Sequence, residues 1–178
     1  MANYAYVQKI DPPLTEAALL PLVESAVRDV LGPRWKVEWA SFTDPYADDG
    51  PTLLVTVPGT SACVDAYWGR ANEGNPPEDV GFILALQNSR TIAFRHHPGM
   101  MFERWAQGCI EEELSERLKA PLHYDAGPTT YRPGRSEYRR GKTLREYVLR
   151  NFGGKVENAE HREIVESQMR GTPPGFET

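Results

Sequence analysis

The sequence predicts an α+β protein, a two-layer sandwich in which an antiparallel meander of four or five strands is flanked by an N-terminal helix and a following helix. Amphipathic helical patterns occur on either side of the stretch 35–97, which itself contains only strand patterns. Connections within that stretch are too short for the crossovers that parallel strands require. The run 82–86 is apolar throughout, which is typical of a central strand.

The first helix is predicted between a capping threonine and a glycine-proline stop. Thr15 offers an N-cap after Asp11-Pro12-Pro13, and Gly32-Pro33 supplies the end. Pro21 lacks a helical N–H donor, so it should kink the first turn or mark a start near Leu20. The apolar stretch 4–7 that comes before is predicted to be a small edge strand or an arm.

Alternating apolar and polar residues, together with β-branched residues, define the strands of the predicted meander. The segments are 35–40, 52–57, 62–68, 80–86 and 91–95. Pro58-Gly59 has the order of a tight turn, so the segment 62–68 should fold back antiparallel to 52–57. A last short strand is predicted at 122–124.

The second helix is predicted at about 101–119. It has an apolar stripe that must be buried, and the sheet is expected to bury it. Its apolar residues are Met101, Phe102, Trp105, Cys109, Ile110, Leu114 and Leu118. The opposite side is predicted to be polar, with Glu103, Arg104, Gln107, Glu111, Glu112 and Glu116. We therefore expect these polar side chains to face solvent.

Three regions follow from these patterns: a helix-meander-helix domain at 1–126, a basic connecting loop with glycine and proline at 127–142, and a helical extension with a frayed tail at 143–178. A capping box at Thr143 and Glu146 predicts the helix of the extension. A chain of 178 residues suffices for one sizeable hydrophobic core.

Charge is unevenly distributed along the chain, whose net charge is −5. Residues 1–131 carry 10 Lys and Arg against 18 Asp and Glu, whereas residues 132–155 carry 8 against 2. Without a long apolar run or the pattern of a signal peptide, we expect no membrane contact and a cytoplasmic location. Cys63 and Cys109 are expected to be small core residues.

The leading functional hypothesis is a non-enzymatic protein-binding module, such as an inhibitor, an immunity-type protein or an adaptor. Large aromatic side chains on the sheet would anchor the partner, and acidic residues would surround them. The residues predicted for this contact are Trp35, Trp39, Tyr67, Trp68, Glu112 and Glu116. The partner would be another protein of unknown identity, and a homo-oligomer is an alternative.

Nucleic-acid binding is the second hypothesis, because arginines interleaved with tyrosines can contact phosphates and stack on bases. The predicted contacts are Arg132, Arg135, Arg139, Arg140, Lys142 and Arg145. The acidic body opposes a polyanion, so the favoured interpretation is that this segment folds back onto that body or onto a second copy.

The third hypothesis is a small enzyme with a histidine at the end of the central hairpin. His96 or His97 would act as a general base, oriented by Asp65 or Glu103. Neighbouring residues on a strand point to opposite faces, so the two histidines should not share a metal ion. No metal and no cofactor are predicted, since no ligand spacing, phosphate-binding loop or nucleophile motif is recognisable.

Overall fold

A computed structural model describes residues 3–40, 50–57, 80–96, 101–124 and 130–131, and it describes side chains over 5–40, 50–56, 82–94 and 105–124. The strands form one antiparallel sheet in the order β2-β3-β4-β5-β1-β6-β7. They are β1 Asn3–Gln8, β2 Lys36–Trp39, β3 Thr52–Val57, β4 Val80–Asn88, β5 Thr91–His96, β6 Leu122–Tyr124 and β7 Thr130–Tyr131. The helices are α1 Glu16–Leu31 and α2 Met101–Leu118.

The predicted α+β class is confirmed, because the antiparallel sheet packs with two helices that contact each other. One face of the sheet and the inner sides of both helices share a single core. The sheet contributes Ala5, Val7, Leu53, Val55, Phe82, Leu84, Leu86, Ile92, Phe94 and Leu122, and the helices contribute mainly Leu19, Val23, Val27, Cys109, Ile110 and Leu114.

The limits of α1 agree with the sequence signals. The Thr15 hydroxyl accepts a hydrogen bond from the Ala18 N–H at 3.3 Å, which satisfies a free amide of the first turn. At the other end, the Gly32 N–H donates to the carbonyls of Val27 and Arg28. Gly32 has φ +97°, a value that glycine adopts easily because it has no Cβ. Pro21 lies inside the helix, which starts before it, at Glu16.

β1 is an interior strand, which corrects the expectation of an edge strand or an arm. It pairs antiparallel with β5 on one side and with β6 on the other. Ala5 and Val7 are almost completely buried on the core face. Strands β1, β6 and β7 bring the described sheet to seven strands, more than the four or five of the predicted meander. The two residues of β7 fall within the segment that was predicted to be a connecting loop.

β3 pairs with β2, as the predicted meander implies, but its second neighbour differs from the prediction. Its two edges are occupied by β2 and by β4, so the place expected for a strand at 62–68 is taken by Val80–Asn88. The segments 62–68 and 143–178 lie outside the described residues. Gly50, just before β3, is closely packed: an added Cβ would lie 1.9 Å from the Leu86 carbonyl oxygen.

Candidate functional site

β2 forms one end of the described sheet and leaves one edge without a strand partner there. The Ala40 N–H donates to the Thr52 carbonyl at 2.9 Å, and the register places these two residues opposite each other. In an antiparallel pair, alternate residues direct their backbone groups to the partner. Lys36 and Glu38 therefore bond to β3, whereas the backbone groups of Val37 and Trp39 point towards the free edge.

The side chains of β2 alternate between the two faces of the sheet. Val37 and Trp39 lie opposite Val55 and Leu53, so they share the face that the helices cover. Trp39 is nevertheless 39% exposed, and no other large hydrophobic side chain in the described part of the chain is classed as exposed. Lys36 and Glu38 are exposed on the other face.

A groove of about 320 Å³ lies beside β2, at the C-terminal end of α1. Its apolar lining includes Val27, Pro33, Trp35 and Val37. Charged residues of both signs, among them Glu24, Arg28, Lys36 and Glu38, form the rest of its wall. We call β2 together with this groove the β2 edge. It combines backbone groups that have no strand partner in the described sheet, an aromatic side chain and an apolar depression.

Trp35 belongs to the core and not to the exposed surface. It is 7% exposed, and its ring lies 6.1 Å from that of Phe82, centroid to centroid. Trp35 is therefore not an exposed side chain, although it lines the groove, and its role in binding a partner stays a prediction. The other predicted anchors, Tyr67 and Trp68, lie outside the described residues. Within the described part, Trp39 is therefore the predicted aromatic that a partner can reach.

The acidic residues of α2 also differ from the prediction. Glu112 is fully buried and Glu116 is half-buried, so Glu112 does not belong to an acidic surface. Gln107 and Glu111 are buried as well. All residues from 106 to 115 except Glu113 are buried. The predicted polar side of this helix is thus enclosed at Gln107, Glu111 and Glu112, which the apolar stripe in the sequence did not indicate.

Glu111 forms the centre of this buried polar cluster. Burial raises its pKa from 4.5 to about 7, an effect that the nearby Glu112 strengthens and that hydrogen bonds with Gln107 and Tyr124 oppose. The Gln107 side-chain amide donates to Glu111 Oε1 at 2.7 Å. Glu111 Oε2 has no hydrogen-bond partner in the described part of the chain. A protonated carboxyl leaves less uncompensated charge at this position, consistent with the raised pKa.

The residues of the second and third hypotheses are mostly outside the described part. His96 is the last residue of β5 and pairs with Asn3 in the backbone register. His97 and Asp65 lie outside it, and so do Arg132, Arg135, Arg139, Arg140, Lys142 and Arg145. Among the described residues, no group of three or more His, Cys, Asp or Glu could hold a metal ion.

Neither of the described helices is long and apolar enough to cross a membrane. Cys109 is buried in the hydrophobic core, as its place on the apolar stripe of α2 predicted.

Comparison with known protein families, with curated proteins and with solved structures gave no match.

Proposed function

We propose that this chain is a non-enzymatic protein-binding module that binds its partner through the β2 edge. The observation that carries the proposal is Trp39: it is an exposed tryptophan on a strand whose outer backbone groups have no strand partner in the described sheet. An added strand would satisfy the backbone groups of Val37 and Trp39. Such pairing is a recurring mode of recognition between proteins, and it fits an inhibitor, an immunity-type protein or an adaptor.

An aromatic anchor supplies binding energy that backbone pairing alone does not. Tryptophan is enriched among the residues that dominate interface energetics, because it removes a large apolar area from water. The neighbouring groove offers an apolar lining from Val27, Pro33 and Val37. The surface is smaller than the aromatic face expected from the sequence, since Trp35 is part of the core.

A photo-crosslinking amino acid in place of Trp39 tests this proposal. In a lysate of the protein's own source, irradiation should join the chain to one protein in high yield, and that protein can be identified by mass spectrometry. The matched control carries the same amino acid at Ala17, which is exposed on α1. Equal capture at both positions, or no capture at position 39, would contradict binding through the β2 edge.

A cytoplasmic location is proposed with this function, in keeping with the finding that no described helix is long and apolar enough to cross a membrane. Nucleic-acid binding through 132–150 and an activity at His96 or His97 stay predictions from the sequence. No contact among the described residues favours either one.

A further inference from the structure

We propose that the strand that pairs with the β2 edge is β2 of a second copy of this chain. The two strands would run antiparallel about a two-fold axis at Val37, and the two sheets would become one continuous sheet. This inference rests on the proposed function, because it names the partner of the same surface. Three properties of β2 support it: the direction of its backbone groups, its charges and the position of Trp39.

The direction of the backbone groups limits how two copies can pair. In an antiparallel pair, a residue whose groups point to the free edge must face another residue of that kind. In β2 these are Val37 and Trp39, since the Ala40–Thr52 hydrogen bond assigns Lys36 and Glu38 to β3. A symmetric pair centred on β2 then has its axis at Lys36, at Val37, at Glu38 or at Trp39, and an axis at Trp39 pairs only that one residue of the strand.

Charge selects among the arrangements centred at Lys36, Val37 and Glu38. A pair centred at Lys36 places two lysines directly opposite each other, and a pair centred at Glu38 does the same with two glutamates. Only centring at Val37 places Lys36 of each copy opposite Glu38 of the other. Both side chains are exposed in this chain. Opposite charges in directly facing cross-strand positions stabilise a pair, whereas like charges there destabilise it.

The same arrangement gives Trp39 a place to bind. Centring at Val37 sets Trp39 of one copy opposite Trp35 of the other, on the sheet face that the helices cover. Trp35, Val27 and Pro33 line the groove of about 320 Å³ next to β2. The exposed ring of Trp39 would therefore enter the groove of the second copy. The two-fold axis makes this contact twice, which is the self-complementarity that an isologous dimer requires.

The contact is short, because β2 has four residues. Small interfaces belong to weak and transient complexes, so we expect a dimer with a dissociation constant in the micromolar range. Sedimentation velocity of the full chain over a concentration series should show a monomer–dimer equilibrium. High salt should weaken the dimer, since the Lys36–Glu38 pairs are solvent-exposed.

Exchange of the charges at Lys36 and Glu38 is the experiment that tests the proposed dimer. Lys36→Glu places two glutamates opposite each other in each half of the interface, and Glu38→Lys places two lysines there. Each single variant should raise the dissociation constant roughly tenfold or more, since attraction becomes repulsion at two symmetric positions. The double variant Lys36→Glu/Glu38→Lys restores opposite charges and should return the constant to near the wild-type value. Far-UV circular dichroism checks that all three variants fold.

Each outcome bears on the inference and on the proposed function separately. Rescue by the double variant supports both. A monomer at all concentrations, or single variants that dimerise like the wild type, overturns the inference. If the crosslinker at position 39 captures a different protein, the proposed function stands and the second copy is not the occupant. If it captures neither a different protein nor the chain itself, both fail.

Discussion

Glu111 shows how one buried residue can set the pH dependence of the whole chain. Its carboxyl group is completely enclosed, with Gln107 from its own helix and Tyr124 from β6 nearby. Burial in a low-dielectric environment disfavours the charged form, and the adjacent Glu112 acts in the same direction. The folded protein therefore retains a proton that the unfolded chain releases as the pH rises above 4.5.

This linkage gives a prediction for Glu111→Gln. Because the folded pKa is about 7 and the reference value is 4.5, Glu111 lowers wild-type stability as the pH rises through this window, by about 3 kcal/mol in all. The neutral glutamine removes that loss. Urea unfolding should show similar stability for variant and wild type at pH 4, and a more stable variant at pH 8.

The control for this experiment is Glu116→Gln, which makes the same change at a half-buried position on the same helix. It should keep the decline in stability that Glu111 causes. A Glu111→Gln variant whose stability falls with pH as steeply as that of the wild type would show that Glu111 does not hold the proton.

At the scale of one element, β2 carries two tryptophans of opposite character at or next to its ends. Trp35 precedes the strand and is buried against Phe82, whereas Trp39 closes it and is 39% exposed. Positions 35 and 39 are four residues apart, so the two-residue period of an extended chain places both side chains on the same face. The alternation of apolar and polar residues therefore does not show that one is buried and the other exposed. The difference arises from the neighbours: Trp35 follows the end of α1 by four residues and packs against Phe82, while Trp39 lies at the far end of β2.

Alanine substitutions should separate the two tryptophans. Trp35→Ala should lower the free energy of unfolding by about 3–5 kcal/mol, because it leaves a cavity in the core. Trp39→Ala should lower it by less than about 1 kcal/mol, as expected for an exposed side chain, and should weaken self-association. Urea unfolding measures the first effect and sedimentation the second. A large loss of stability in Trp39→Ala would place that ring in the core and remove it from the β2 edge.

At the scale of the whole molecule, the fold depends on a strand at the beginning of the chain. β1 lies between β5 and β6 and is hydrogen-bonded to both. The segment that follows is also fixed: the Ile10 N–H donates to the Arg90 carbonyl at 3.1 Å, and Arg90 Nη1 donates to the Ile10 carbonyl at 3.0 Å. The N-terminal segment thus joins β6 to the rest of the sheet.

Deletion of residues 1–8 should therefore prevent folding. It removes β1 completely and leaves the inner edges of β5 and β6 without a partner, together with the core positions of Ala5 and Val7. Circular dichroism and proton NMR should show loss of cooperative unfolding and of dispersed amide signals. The control lacks residues 1–2 only, which precede β1, and should fold. A folded, cooperative chain after the longer deletion would mean that β1 is dispensable, as an edge strand or an arm would be.

The sequence by itself determined the features that depend on local physical chemistry. Thr15 and Gly32 bound α1 because capping requires a side-chain oxygen and a residue tolerant of positive φ, both readable from a few neighbours. The pairing of β4 with β5 follows from their short connection, and the α+β class follows from the order of these patterns.

Only the tertiary structure decided what covers each element. The position of β1 depends on partners that lie about 90 and 120 residues further along the chain, and no local pattern specifies such pairings. Glu111 and Glu112 occur on the side of α2 that looks polar in the sequence, yet both are buried. Hydrophobic periodicity reports one buried face of a helix, and it cannot show that the other face is enclosed as well.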